Sequence, residues 1–223
     1  MTWREKWQQA YEKASFYRTE KNSSEYWNQV ARVGDSGLAG VEHYKLLCDY
    51  FLSMDIFDLK ISLLDVGCGD GNYIESLIPY CNRIVALDYS KNMLEVCKKR
   101  LDNYIDDGVS ISYVLNDFNE YETDEKFDIV LSCLNPSTYS PNALDKLMRL
   151  SKKYVVYFSM DSDISNAEEE PIYCGTNSVR FAEKYLNERE IQYTKISYDY
   201  SVEIKEGDVR NIPFAYIIVF CER

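Results

Sequence analysis

The sequence predicts an α/β protein in which buried strands alternate with helices. The first observation is a short, crowded apolar run from Ile61 to Val66, which is typical of a strand buried on both faces. The second is a helical apolar pattern that starts at Tyr73, directly after a glycine-rich turn. The third is the recurrence of apolar runs and helical patterns as far as Met160, which indicates several strand–helix units in one sheet.

Length and composition favour one soluble domain. The chain of 223 residues suffices for an α/β domain with a modest appendage, and we predict one domain over residues 1–223. The net charge of −12 argues against a nucleic-acid partner, because that binding relies on Lys and Arg at the phosphates. The 7 cysteines include no C-x-x-C pair, which favours a reduced compartment. A charged N-terminal sequence and the lack of an apolar run of about 20 residues predict a cytoplasmic protein without a membrane segment.

Residues 1–56 are predicted to form three helices that precede the first strand. Apolar and aromatic side chains recur at helical spacing over residues 3–17, 24–33 and 41–51. Aromatic stripes of this kind ordinarily indicate packing. As a group, however, aromatic rings could also cover a ligand that carries a positive charge.

The most informative stretch follows the first strand and reads Gly67-Cys68-Gly69-Asp70-Gly71. A buried strand, a glycine turn and a helix start form a ligand site, because glycines let a ligand approach the backbone and helix starts present free N–H groups. The dinucleotide pattern G-x-G-x-x-G is not met, since Asn72 stands where its third glycine belongs, and no lysine follows as a phosphate loop requires. The acidic Asp65 and Asp70 favour a ligand with an ammonium or sulfonium group.

The rest of the chain continues the alternation of strands and helices. We predict strands over residues 83–88, 109–115, 127–133 and 154–160, and helices that begin at Ser90 and Pro141. After a polar, acidic segment, we predict a helix over residues 177–190 and a pair of long strands over residues 191–205 and 214–221.

Polar side chains follow three of these strands. Asp88 closes the second strand, where a carboxylate can hold a sugar at the carboxyl edge of the sheet. Asp117 and Phe118 follow the third strand, and a carboxylate can accept from an exocyclic amine while an aromatic ring covers a purine. Asn135 and Tyr139 follow the fourth strand and are candidate pocket residues.

The chain contains one histidine, His43, in the third predicted helix. A lone histidine is more often a hydrogen-bonded structural group than a base. The candidates for a catalytic role are therefore His43, Asn135 and Tyr139, and none of them is distinguished by its spacing.

The motifs LLDVGCGDG, IVALDYSKNML, NDF and FDIVLS occur in this order over residues 59–160. This series resembles the motifs of the class I S-adenosylmethionine-dependent methyltransferases. The resemblance implies a doubly wound, mostly parallel seven-stranded sheet in three layers, with a closing antiparallel hairpin. It also implies a Rossmann-like core over residues 57–223 and an N-terminal helical lid over residues 1–56, which would fold over the cofactor.

The resemblance also implies a set of cofactor contacts. The glycine loop would lie along the methionine part of S-adenosylmethionine, Asp88 would hold the ribose hydroxyls, and Asp117 and Phe118 would hold the adenine. The implied cofactor-binding residues are Asp65, Gly67, Cys68, Gly69, Gly71, Asp88, Tyr89, Asn116, Asp117, Phe118 and Cys133. No metal site is expected.

By this resemblance the chain is expected to be a methyltransferase. A sulfonium cofactor carries its own activated leaving group, so the protein would mainly supply alignment and dryness. We expect a small-molecule acceptor, because the chain is acidic and shows no appended recognition domain. Two alternatives stay open: a protein or RNA acceptor, and a regulatory module that binds S-adenosylmethionine without catalysis.

Overall fold

Strands and helices alternate along the chain, as the sequence predicts. The computed structural model describes residues 2–13, 23–33, 41–57, 60–102, 104, 108–161, 178–205 and 208–221. Its helices are α1 (Trp3–Lys13), α2 (Ser24–Val33), α3 (Val41–Ser53), α4 (Asn72–Leu77), α5 (Lys91–Leu101), α6 (Pro141–Leu150) and α7 (Ser178–Glu188). Its strands are β1 (Ile61–Val66), β2 (Cys81–Asp88), β3 (Ser110–Leu115), β4 (Phe127–Cys133), β5 (Ser151–Met160), β6 (Tyr193–Lys205) and β7 (Asp208–Phe220).

These strands form one sheet in the order β3-β2-β1-β4-β5-β7-β6. Strands β1 to β5 pair in parallel, whereas β7 runs antiparallel to β5 and β6 runs antiparallel to β7. The sheet is therefore the predicted seven-stranded, mostly parallel one with an antiparallel closing pair. The strand order reverses between β1 and β4, and open α/β sheets bind ligands at the carboxyl edge of such a reversal.

Helices cover both faces of the sheet, which gives three layers. Successive side chains of a strand point to opposite faces, so the fully buried Leu63 and Leu64 of β1 belong to different cores. The core that contains Leu64 is closed by α1, α6 and α7. The core that contains Leu63 is closed by α3, α4 and α5.

Helix α1 is part of the first core. Trp7 is 1% exposed, and the centroid of its ring lies 5.4 Å from that of Phe181 and 6.1 Å from that of Tyr185, both on α7. Arg4 on the same helix pairs with Asp145 on α6 at 2.7 Å. The apolar face of α1 is thus buried against α6 and α7, and the lid over residues 1–56 stays a prediction. Helices α2 and α3 do reach the ligand edge of the sheet.

Capping side chains set several helix starts. Ser90 Oγ accepts from the backbone N–H of Met93 at 3.2 Å, Ser140 Oγ accepts from that of Ala143 at 3.2 Å, and Ser23 Oγ accepts from that of Tyr26 at 3.1 Å. The backbone N–H groups in the first turn of an α-helix have no carbonyl partner within the helix. Each of these hydroxyls accepts a hydrogen bond from one such N–H group. These contacts confirm the predicted helix starts.

Strand β7 is longer than predicted. It begins at Asp208 rather than at residue 214, and it pairs with β6 along its full length. Residues 208–213 do not alternate between apolar and polar side chains. The periodicity of the sequence therefore does not indicate a strand in this half of β7. The polar, acidic segment predicted after β5 lies outside the described residues, apart from Asp161.

The described cysteines are free thiols, namely Cys48, Cys68, Cys81, Cys97, Cys133 and Cys221. Within the ranges given above, the structure contains no helix with both the length and the apolar character that a membrane span requires. The cytoplasmic location stays a prediction.

The core position of α1 can be tested with two tryptophans. Trp7→Ala leaves a cavity among aromatic rings and is expected to lower the free energy of unfolding by about 3–5 kcal/mol. The control is Trp27→Ala on α2, because the Trp27 side chain is only half-buried and its loss should change that free energy by about 1 kcal/mol or less. Urea unfolding followed by circular dichroism measures both. Equal losses in the two variants would contradict a core role for α1.

Candidate functional site

The glycine loop (residues 67–71) connects β1 to α4 and forms one wall of a cavity at the carboxyl edge of the sheet. The backbone N–H groups of Gly67 and Cys68 donate to the carbonyl of Leu87 in β2, at 2.7 and 3.0 Å. Gly71 has a φ of 85°, and a Cβ at this position would stand 2.7 Å from Cys97 Sγ in α5. Gly71 therefore allows the loop to pack against α5, whereas the first half of the loop faces the cavity.

Asp88, the last residue of β2, connects the loops that follow β1 and β2. Its Oδ2 accepts from the backbone N–H of Gly69 at 2.9 Å, and its Oδ1 accepts from that of Ser90 at 2.7 Å. Burial raises the pKa of Asp88, and the backbone N–H groups of Ser90, Gly69 and Tyr89 oppose that shift. A carboxylate can accept about four hydrogen bonds, so Asp88 retains acceptor capacity for a hydroxyl of a ligand.

Asp65 lies beneath the glycine loop and is 2% exposed. Its Oδ2 has no hydrogen-bond partner in the described part of the chain. Burial, followed by the nearby carboxylates of Asp88 and Asp70, raises the pKa of Asp65 to about 8. Asp70 is paired with Arg100 at 3.2 Å, whereas no ion pair reaches Asp65 or Asp88 from the described residues. A positively charged ligand nearby would favour the ionised form of these carboxyl groups, so the acidic site suits such a ligand.

The main cavity lies between the ends of β1, β2 and β4. The residues of the sequence-predicted site that line it are Gly67, Cys68, Gly69, Asp88, Tyr89, Cys133 and Asn135. A small cavity adjoins it and shares Gly67, Asp88, Tyr89 and Asn135 with it. Asn116 and Phe118 line the small cavity, so the segments that follow β1 to β4 all contribute to one continuous recess.

The loop after β4 is shaped by Asn135. Its Nδ2 donates to the carbonyl of Val66 at 3.0 Å, and its Oδ1 accepts from the backbone N–H of Ser137 at 3.0 Å. The preceding residue, Leu134, has a φ of 53°, which is uncommon for a residue with a side chain. This left-handed residue lines the main cavity, and such strained residues cluster at functional sites.

Three tyrosines and a thiol form a cluster beside the glycine loop. The hydroxyls of Tyr73 and Tyr216 lie 3.2 Å apart, and the ring of Tyr44 stands perpendicular to that of Tyr73 at a centroid distance of 4.5 Å. Burial raises the pKa of each of these phenols and of the Cys133 thiol. All four groups therefore keep their protons near neutral pH, and they can donate hydrogen bonds rather than act as bases.

Some predicted site residues do not border either cavity. Gly71 faces α5, and Asp65 lies beneath the loop. Asp117 Oδ1 accepts from the backbone and side-chain amides of Asn119, at 2.8 and 2.9 Å, within its own turn. Tyr139 is buried, its hydroxyl accepts from Ser159 Oγ at 3.0 Å, and its role as a pocket residue stays a prediction.

The side chain of His43 lies outside the described residues, although the backbone of His43 is part of α3. Its candidate role stays a prediction. Cavity residues that the sequence did not single out are Trp27, Tyr44, Asn72, Tyr73 and Met93. Their helical spacing is the same as that of core residues, so periodicity alone assigns them to packing.

Comparison with protein families identifies the central part of the chain. Residues 63–154 match the model of the family described as methyltransferase domain. A ubiquinone biosynthesis O-methyltransferase of Candida albicans is 29% identical over 149 residues, which are 60% of this chain and 45% of that protein. A malonyl-[acyl-carrier protein] O-methyltransferase of Priestia megaterium is 31% identical over 86 residues, which are 36% of this chain and 28% of that protein. The chain thus spans less than half of each of these curated relatives.

Solved structures share the fold at low sequence identity. Magnesium protoporphyrin IX methyltransferase from Synechocystis, solved with bound S-adenosylhomocysteine, has a TM-score of 0.61 at 10% identity, and the match covers 94% of this chain and 99% of that one. N-methyltransferase NodS from Bradyrhizobium japonicum has a TM-score of 0.54 at 17% identity, with 80% and 94% covered. These likenesses confirm the fold class.

The packing role of Gly71 can be compared with that of Gly69. Both glycines are left-handed, but a Cβ at Gly69 would meet nothing within 4 Å. Gly71→Ala should therefore lower the free energy of unfolding by at least about 1 kcal/mol more than Gly69→Ala, since it adds a clash to the backbone strain. The further substitution Cys97→Ala should return part of that difference. Equal effects of the two glycine variants in urea unfolding would contradict the close approach to α5.

The raised pKa of Asp65 predicts how stability depends on pH. The folded state holds a proton on Asp65 up to a pKa of about 8, whereas an unfolded Asp releases it near pH 4. The free energy of unfolding therefore decreases as the pH rises from the unfolded pKa of Asp65 to its folded pKa. The slope is at most about 1.4 kcal/mol per pH unit. Between pH 5.5 and 7.5, the wild type should lose more unfolding free energy than Asp65→Asn. Parallel pH profiles of the two proteins would contradict the shift.

Proposed function

We propose that this chain, whose residues 63–154 match the methyltransferase domain family, is a class I S-adenosylmethionine-dependent methyltransferase that transfers the methyl group to a small-molecule acceptor. The observation that carries this proposal is the hydrogen bond that joins the glycine loop to Asp88 at the carboxyl edge of the sheet, next to the point between β1 and β4 where the strand order reverses. That arrangement combines an accessible backbone with a carboxylate that still has free acceptor capacity.

The residues around the two cavities fit S-adenosylmethionine. Asp88 would accept from the ribose hydroxyls, and the glycine loop would let the methionine part approach the backbone. The unpartnered Oδ2 of Asp65 and the acidic groups of the recess suit the ammonium and sulfonium charges. Asn116 and Phe118 in the small cavity would contact the adenine. A direct contact from Asp117 stays a prediction.

When bound, S-adenosylmethionine supplies a methyl group on a sulfonium that is already an activated leaving group. The residues of the chain therefore have to align the acceptor and exclude water. Trp27, Tyr44 and Tyr73 border the main cavity and limit access of water to it. Because the pKa values of Tyr44 and Tyr73 are raised, these phenols would not remove a proton from an acceptor that enters beside Cys133.

The charge of the main cavity supports a neutral or cationic acceptor. Among the described residues that line it, the charged ones are Asp70 and Asp88, and none is Lys or Arg. A phosphate or carboxylate on the acceptor would meet these acids without a basic partner. The net charge of −12 also favours a small molecule over an RNA acceptor. The names of the two O-methyltransferase relatives are consistent with an oxygen as the methylated atom.

The cofactor assignment is tested by the affinity for S-adenosylhomocysteine. Asp88→Asn keeps the shape of the side chain but removes the charge that accepts from the ribose, and Asp88→Ala removes the contact. Since hydrogen bonds to a charged group are worth about 1.5–3 kcal/mol, calorimetry should show tenfold to hundredfold weaker binding. Glu95→Ala is the control, because Glu95 is an exposed acid on α5, away from both cavities.

Two outcomes would count against the proposal. If the wild type binds neither S-adenosylmethionine nor S-adenosylhomocysteine at millimolar concentration, the cofactor is wrong. If it binds both but releases no S-adenosylhomocysteine with any of a panel of neutral and cationic acceptors, the chain is a binding module rather than an enzyme of this acceptor class.

A further inference from the structure

Asn28 on α2 contacts the start of α5 through three hydrogen bonds. Its Oδ1 accepts from Ser90 Oγ at 2.8 Å and from the backbone N–H of Asn92 at 3.0 Å. Its backbone carbonyl accepts from the side-chain amide of Asn92, also at 3.0 Å. All three bonds are partly buried, where a polar contact is stronger than in water.

The two groups that donate to Asn28 Oδ1 lie at the start of α5, and both are available for these hydrogen bonds. Ser90 Oγ accepts from the backbone N–H of Met93, so its single proton is available for Asn28 Oδ1. The N–H of Asn92 belongs to the first turn of α5, where N–H groups have no partner within the helix. The side-chain oxygen of Asn28 therefore completes the cap of a helix that belongs to another part of the chain.

The side chains of α2 are less deeply buried than those of α1 and α3. No side chain of residues 23–31 is fully buried, in contrast to the apolar faces of α1 and α3. The polar contact of Asn28 therefore adds to the packing of the half-buried Trp27, Val30 and Ala31 in fixing this helix.

The contact lies directly beside the proposed cofactor site. Trp27 precedes Asn28 and lines the main cavity together with Tyr89. On the other side, the backbone N–H of Ser90 donates to Asp88 Oδ1 at 2.7 Å. A short series of hydrogen bonds thus runs from α2 through Ser90 to the carboxylate that is assigned to the ribose.

We propose that Asn28 is a positioning residue for cofactor binding, and that it acts by holding Trp27 against the main cavity. The inference rests on the proposed function, because the ligand at this cavity is taken to be S-adenosylmethionine or its product. Trp27 then covers the cofactor only while Asn28 is bound to Ser90 and Asn92. Loss of these bonds lowers the population of the binding-competent arrangement, and the apparent affinity falls in proportion.

The test measures S-adenosylhomocysteine binding by calorimetry and hydrogen exchange of residues 23–33 by mass spectrometry. Asn28→Ala should weaken binding about tenfold and speed exchange in α2, because two side-chain hydrogen bonds are lost. Asn28→Asp should bind within about twofold of the wild type, since a carboxylate accepts from the same two donors and suits a helix N-terminus. Gln29→Ala, an exposed neighbour on the same helix, should match the wild type.

A double-mutant cycle separates positioning from general loss of structure. If Asn28 acts through Trp27, Asn28→Ala should have almost no further effect on affinity in a Trp27→Ala background. Additive effects, an unchanged affinity of Asn28→Ala, or no recovery in Asn28→Asp would each overturn the proposal.

Two further results are also decisive. If Asn28→Ala does not fold, Asn92→Ala can be used instead, because it removes one of the three hydrogen bonds from the side of α5. This variant should bind about twofold to threefold more weakly than the wild type, and an unchanged affinity would overturn the proposal.

If the wild type does not bind S-adenosylhomocysteine, the proposed function and this inference are both wrong. Wild-type binding that is insensitive to Asn28 removes the inference alone.

Discussion

The buried carboxylate of Asp88 is the contact on which the rest of the site depends. One oxygen accepts from Gly69 in the loop after β1, and the other accepts from Ser90 in the loop after β2. Because the same group also faces both cavities, the shape of the glycine loop and the binding of a sugar hydroxyl depend on a single side chain. The sheet places these two loops side by side, since β1 and β2 are parallel neighbours that end at the same level.

The acidity of the recess follows from the same arrangement. Asp65 and Asp88 are both buried, and burial raises the pKa of each. Placing acidic groups together in a site of low polarity lowers the stability of the ligand-free protein. A positively charged ligand offsets part of this loss of stability. Because such a ligand binds only the folded state, its binding raises the free energy of unfolding. A diphosphate would increase the repulsion, which agrees with the absence of a dinucleotide pattern in the glycine loop.

The sheet could be predicted from the sequence because its strands are buried on both faces and are separated by clear helical periods. The position of Asp88 at the end of β2 followed from the same pattern. The roles of Trp27, Tyr44 and Tyr73 could not be predicted, since residues that line a cavity share the spacing of residues in a core. The contact between Asn28 and Ser90 joins segments far apart in the chain, and an Asn in an amphipathic helix gives no local signal of it. Tyr139 is the reverse case. Its position in the loop after β4 predicted a place in the cavity, but its hydroxyl has a buried hydrogen-bond partner, Ser159 Oγ on β5.

The central claim is that the recess after β1 and β2 holds a sulfonium nucleoside, or its thioether product, by the sugar. A crystal structure of the protein soaked with S-adenosylhomocysteine tests this claim most directly. The account predicts both ribose hydroxyls within hydrogen-bond distance of the Asp88 carboxylate, with the amino-acid part along Gly67 to Gly69. A nucleoside bound elsewhere, or a dinucleotide whose diphosphate lies on the glycine loop, would contradict it.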